Sequence, residues 1–424
     1  MHVTRPSWLT RDRLFRLALT VAIAVMLIRA IRIFIQYSNL PIDWDALGYR
    51  GLVGAMKHPY DTSGREPVWI NLVWLGELLF GPTDQSLRVL CTLLFIATAG
   101  VLYRLTREIS GSRLAALIAF ILITNHGYLG LLAVRGLRDN LQMLGTVALA
   151  YVLFARPRWL TERLRLVAWA GAGLLMAGTR LSLLAPLVPL FALGAWRLRI
   201  RWWKAALAFG AVLGLLAPYL VYCQLRFGDP MFATNNHAAH WRNVEFVRVR
   251  GIGCPGCPTV EEMGPPAFLL GEPTTAAKYL LGMHSVAELA VGSAKGYFEL
   301  LVWPAQLNVG HARPMAILRV ILCWWGVALL LHRRRAWVLA VPLLSMNLLA
   351  YLAPFRDDPR FFVDIIPFQI MAVGVGAAWV CERIETYGIA LARRFQPRRR
   401  PSGLAEERPA THTRFDIDGG RPTP

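Results

Sequence analysis

Apolar runs close to the ~20 residues needed to cross the hydrocarbon of a bilayer recur along the chain, from 17–35 to 361–380. A backbone in lipid must satisfy its own polar groups, so runs of this length become helices and the expected class is all-α. Hydrophobic residues make up 55% of the 424 and charged residues only 17%. A soluble domain carries about 25% charge, so an ordinary soluble enzyme is excluded.

The net charge of +20 raises the question of nucleic acid, but the basic residues are not gathered on one module. Arg5, Arg11, Arg13 and Arg16 precede the first apolar run, and Arg104, Arg107 and Arg113 follow the second. Arg156, Arg158, Arg163, Arg165, Arg197, Arg199, Arg201, Lys204, the Arg333, Arg334 and Arg335 triplet and the arginines from Arg393 to Arg400 continue the series. Basic loops mark the cytoplasmic side, so topology accounts for the charge and no nucleic-acid partner is needed.

Hydropathy and charge together predict about ten spans: 15–36, 86–105, 112–127, 138–155, 165–180, 182–197, 204–225, 314–332, 336–354 and 361–382. The two that meet at Arg180 could instead form one long broken helix. With this count every basic loop and both termini are cytoplasmic, and the expected location is the inner (plasma) membrane. The first apolar run is long and lacks a small-x-small cleavage site, which predicts an uncleaved anchor. Residues 1–383 form the transmembrane domain, and 384–424 are expected to be a disordered basic tail.

Two outer loops, 37–85 and 226–313, are far longer than topology requires, so function is sought there. The first holds apolar stretches at 46–56 and 68–80, which read as interfacial helices. The second mixes Gly, Pro, His and aromatic residues, then turns helical in pattern from about 275 to 301. No internal repeat is visible, which weighs against a transporter.

Asp43 and Asp45 open the first outer loop. A carboxylate bordering lipid while reaching water can be made basic enough to abstract a proton, although either residue could simply cap the helix beginning at Ala46. Arg65-Glu66-Pro67 follows, and Arg138-Asp139 opens the fourth span, either as site residues or as a local ion pair. Arg180, between apolar segments, is a functional candidate by default. His237 and His240, with Arg242 and Glu245, have a spacing a metal could use on a helix, but acceptor binding is the preferred role and no metal ligand is assigned. Cys91, Cys223, Cys323 and Cys381 lie in or beside apolar runs and read as small hydrophobes. Cys254 and Cys257 on the outer side would favour a disulfide. The overlapping Gly251-x-Gly253-x-x-Gly256 has neither a preceding strand nor a following helix and is set aside.

The acidic residue four before Tyr49, the basic-x-Pro segment Arg65-Glu66-Pro67 and the Phe80-Gly81 to Arg88 approach to the second span resemble the dolichyl-phosphate-mannose protein mannosyltransferases and the bacterial aminoarabinose transferases of the GT-C superfamily. The resemblance is clearest over 42–154, with an echo at 358–362. It implies a GT-C-like polytopic fold and a polyprenyl-phosphate-linked sugar donor. Asp45 would then be the catalytic carboxylate, with Asp43 beside it and Asp139 a second outer-boundary aspartate. Arg65 would take the place where the family often has a lysine that holds the carrier phosphate, while Glu66 replaces a proline of that pattern.

Independently, a sugar on phosphate already has a good leaving group. What is needed is a base for the acceptor and cations for the departing phosphate. Asp45 can be the base; Arg65, Arg138 and Arg360 are the candidate cations; Tyr49, Glu66, His237 and His240 are accessory or acceptor-binding. One carboxylate suffices for an inverting displacement. The expected function is therefore transfer of a sugar from a polyprenyl phosphate to an envelope acceptor on the outer, periplasmic side, in contact with membrane lipids. A divalent cation stays open as a cofactor. The alternatives are a transporter or flippase of a lipid-linked saccharide, with Arg138, Asp139 and Arg180 lining a passage, and a noncatalytic envelope subunit.

Overall fold

The computed structural model describes residues 11–157, 159–259, 261–262, 271–302, 313–346 and 363–395. Every regular element among them is helical, as expected. The chain forms two compact units, Met1–Val380 and Cys381–Pro424.

In the first unit, helix α1 (Arg11–Tyr37) is followed by two helices of the first long loop, α2 (Trp44–Ala55) and α3 (Pro67–Phe80). Helices α4 (Asp84–Ser110), α5 (Arg113–Thr124), α6 (Gly127–Leu132), α7 (Asp139–Phe154) and α8 (Glu162–Ala177) come next. The bundle continues with α9 (Leu184–Leu198) and α10 (Trp202–Phe227). The second long loop carries α11 (Phe232–Arg242) and α12 (Val286–Val302), and α13 (Arg313–His332), α14 (Ala340–Ser345) and the part of α15 (Ile366–Phe395) up to Val380 complete the order. At the centre α7 packs against α4 and α8 and touches α9 and α14. Almost all of its residues are buried, including Asn140, Gln142 and Thr146.

Among the described residues five helical segments are long and apolar enough to cross a membrane: Asp12–Tyr37, Asp84–Ser110, Leu181–Leu198, Trp202–Phe227 and Met315–His332. This is fewer than the ten predicted spans. At ~1.5 Å per residue, the 12 residues of α5 reach only ~18 Å, and the 16 of α7 or α8 only ~24 Å, against a ~30 Å hydrocarbon core. Hydropathy does not distinguish an apolar residue facing lipid from one facing protein, and α7 turns its apolar residues to the protein core. The predicted spans 336–354 and 361–382 fall partly outside the described residues. Around Arg180 the chain makes two helices rather than one: α8 ends at Ala177, Arg180 is extended with φ −142°, and the 3-10 turn Leu181–Leu183 leads into α9.

The two apolar stretches of the first loop are helices, as predicted. Pro67, with no N–H to leave unpaired, occupies the first turn of α3. Tyr49, Trp69, Ile70 and Val73 pack with Leu87, Leu90 and Leu141 in a small core of their own. Arg50 of α2 pins the assembly, pairing with Glu77 of α3 at 3.0 Å and with Asp84 at the start of α4. Trp74, Leu75, Leu78, Leu79 and Phe80 of α3 stay exposed, an apolar face of the kind that marks a membrane or partner surface.

The second loop is helical over Val286–Val302 in agreement with its pattern, and Cys254 and Cys257 are disulfide-bonded. Glu245 does not join the histidines with which its spacing groups it. Its buried carboxylate accepts from Tyr279 Oη at 2.6 Å, faces His284 Nε2 at 3.0 Å and pairs with Arg250, which ties the loop to itself. Cys91, Cys223 and Cys323 are buried as expected, whereas Cys381 is exposed. In the second unit the helix reaches Phe395 and so includes the first residues assigned to the tail, a stretch with no proline before Pro397. Residues 396–424 lie outside those described.

Candidate active site

Three helix ends meet where the two long loops adjoin the bundle. They are the N-terminus of α3, the N-terminus of α7 and the C-terminus of α8. Val68 N donates to Gly178 O at 3.2 Å, which joins α3 to the end of α8. Arg138, at the N-cap of α7, donates to Glu66 Oε2 at 2.5 Å and to Thr179 O at 3.5 Å. Both side chains are secluded, 10% exposed for Arg138 and 4% for Glu66. The departure from the family's proline at position 66 thus has a structural role, since Glu66 neutralises a buried arginine.

His237 of α11 completes this cluster. Its Nδ1 lies 2.6 Å from Ala233 O, an acceptor, so Nδ1 carries the proton and Nε2 accepts from Arg138 Nη2 at 3.0 Å. Burial, aided by the Arg138 charge, pushes the imidazole down to about 4 and keeps it neutral. Burial would raise the Glu66 carboxyl, but Arg138 outweighs it and holds the group below the usual range. His240 instead stacks at a tilt on Trp241, with ring centroids 5.6 Å apart. Among the described residues no group of three or more His, Cys, Asp or Glu could hold a metal ion.

The first-loop residues sit beside this cluster. Asp43 caps α2, its Oδ1 accepting from Asp45 N at 3.1 Å while Oδ2 lies 4.0 Å from Arg135 Nη1. Asp45 is one helical turn before Tyr49, and both are within electrostatic reach of Arg138. Burial pushes the Tyr49 phenol up to about 12, which keeps it protonated as a donor. Gly136, at φ +79°, makes this approach fit, because a Cβ there would stand 3.0 Å from Ala46 Cβ. Arg65 is half-buried and forms no hydrogen bond or ion pair through its guanidinium among the described residues, while Tyr49, Glu66 and His237 all feel its charge. Gly64 sets its position: the residue has φ +77°, and a Cβ would collide with Phe232 at 2.3 Å. Tyr219 Oη holds the same turn through Gly64 O at 3.1 Å.

A second buried cluster lies along α7. Arg180 Nη2 meets Asp139 Oδ1 at 3.2 Å, so Asp139 is paired across helices and not with its neighbour Arg138. Asp364, fully buried just before α15, accepts from Gln142 Nε2 at 2.6 Å and Thr146 Oγ1 at 2.9 Å and lies within reach of Arg180. Sequence reasoning missed Asp364, Gln142 and Thr146. The available signal was polar residues spaced by four in an otherwise apolar helix. Arg360 lies outside the described residues.

Residues 57–222 match the model of the dolichyl-phosphate-mannose-protein mannosyltransferase family. That family is a glycosyltransferase family of the GT-C type. The match takes in Arg65, Glu66, Arg138, Asp139 and Arg180, while Asp45 precedes it and His237 and Asp364 follow it. Among curated proteins and among solved structures no match is found. The family resemblance and the enzyme class read from the sequence are borne out over the matched segment, and the apolar helices agree with a membrane glycosyltransferase.

Proposed function

We propose that this site transfers a sugar from a polyprenyl-phosphate carrier to an acceptor on the outer side of the inner membrane, with inversion. Asp45 takes the proton of the acceptor O–H or N–H as that atom bonds to the anomeric carbon. The bond from that carbon to the phosphate oxygen breaks, and its electron pair leaves with the carrier phosphate, which gains a negative charge. Arg65 meets that charge.

The observation that carries this reading is the division of labour among the cations. Arg138 is neutralised by Glu66 and Arg180 is paired with Asp139, which leaves the Arg65 guanidinium available within electrostatic reach of Tyr49, whose phenol also feels Asp45. Arg138 and His237 then shape the site, and Asp43 holds α2 in place. The exposed apolar face of α3 supports an interfacial position for the first loop.

The test uses protein in nanodiscs with radiolabelled polyprenyl-phosphate mannose and a cell-envelope extract as acceptor. Loss of a general base typically lowers the rate ~10²–10⁴-fold, which is the effect expected of Asp45→Asn, and Asp43→Asn should act far less. Undiminished transfer by a folded Asp45→Asn protein overturns the assignment.

A further inference from the structure

Opposite the candidate site, the helices end in a ring of arginine and tryptophan. Asp139 opens α7 and Arg156 follows its end; Arg180 precedes α9 and Arg197 lies in its last turn. Three connections, after α7, α9 and α13, are tied together at this end. Arg156 Nη2 donates to Arg197 O at 2.8 Å, and Arg197 Nη2 donates to Arg334 O at 3.4 Å. Trp196 and Trp337 cross the same junction edge to face, with centroids 5.4 Å apart.

We propose that this collar is a binding site for anionic phospholipid headgroups. The acceptors of Arg156 and Arg197 are neutral carbonyls, so the charge is not cancelled. Among the described residues no carboxylate forms an ion pair with Arg156, Arg197, Arg199 or Arg334. Arg199 and Arg334 also hold left-handed backbone, φ 57° and 53°, where glycine would be less strained. Their side chains therefore bring charge to positions whose backbone alone favours glycine.

Depth identifies the partner. The collar closes the ends of the apolar segments Leu181–Leu198 and Met315–His332 and adjoins the start of Trp202–Phe227, so it stands at a water-lipid boundary. Exposed tryptophans with apolar bodies and polar N–H groups suit that boundary. A phosphate diester there meets guanidinium groups at headgroup level, while its acyl chains lie along the helices.

The full chain in detergent is titrated with phosphatidylglycerol or phosphatidylcholine and bound lipid is counted by native mass spectrometry. Phosphatidylglycerol should bind at least ~10-fold more tightly. The double substitution Arg197→Gln with Arg199→Gln should lower that preference by roughly tenfold, whereas Arg226→Gln, at the other end of α10, should leave it unchanged. Equal binding of the two lipids to the unaltered protein overturns the proposal, and that comparison stands even if the double variant fails to fold. Equal losses in the two variants, or a preference for an acidic protein or nucleic acid over the lipid, overturn it as well.

Discussion

The pairing of Glu66 with Arg138 offers the sharpest test of the site's construction. Glu66→Gln keeps the shape and an acceptor oxygen but removes the only carboxylate bonded to Arg138 among the described residues. Breaking a buried ion pair from one side costs about 3–5 kcal/mol, because the remaining charge is stranded. Here Arg138 keeps His237 Nε2 at 3.0 Å, Thr179 O at 3.5 Å and the nearby charges of Asp139 and Asp45. These acceptors bring the expected loss to about 2–3 kcal/mol. In thermal unfolding of detergent-solubilised protein, a chain of this size should show a Tm drop of about 2–3 °C. Arg138→Gln should lower Tm comparably, since it strands Glu66. The double variant, with both charges gone, should recover most of either loss. If its loss equals the sum of the two single losses, the residues are not coupled and the reasoning is refuted.

Stability should also fall as pH drops from about 6.5 to about 4, because the unfolded chain protonates His237 over that range while the buried imidazole stays neutral. His237→Gln, whose amide oxygen can still accept from Arg138, should flatten the Tm-against-pH curve in that window; an unchanged curve would count against the neutral tautomer. Below about 4.5 the stabilising Glu66 carboxylate is lost in its turn, and Glu66→Gln should be insensitive to that second step. Arg50→Ala removes the pin between α2, α3 and α4, which should cost about 1 kcal/mol and speed protease cleavage between the two loop helices; an unaltered cleavage rate would show that the small apolar core suffices.

The all-helical class and the helices of the first loop were legible because period and length are local signals. The span count was less so: α7 is apolar along a length short of a full crossing, and its apolar residues face other helices, a distinction that hydropathy does not carry. The same limit governs the site. Arg65, Glu66, Arg138 and Asp139 stood out as charges in apolar surroundings, but their partners did not. Arg138 meets Glu66 across 72 positions, and Asp139 meets Arg180 rather than its neighbour. Asp364 meets Gln142 across 222 positions and lay inside an apolar run assigned wholesale to the last span. Asp43 carried both readings in sequence, and the structure gives it the cap.

The central claim is the meeting of Asp45 and Arg65 at a lipid-borne sugar phosphate. An experimental structure with a non-transferable polyprenyl-phosphate sugar bound would test it most directly. The phosphate is expected within hydrogen-bond reach of the Arg65 guanidinium, with the anomeric carbon facing the Asp45 carboxylate. A phosphate seated away from Arg65, or an Asp45 turned from the sugar, would contradict the account.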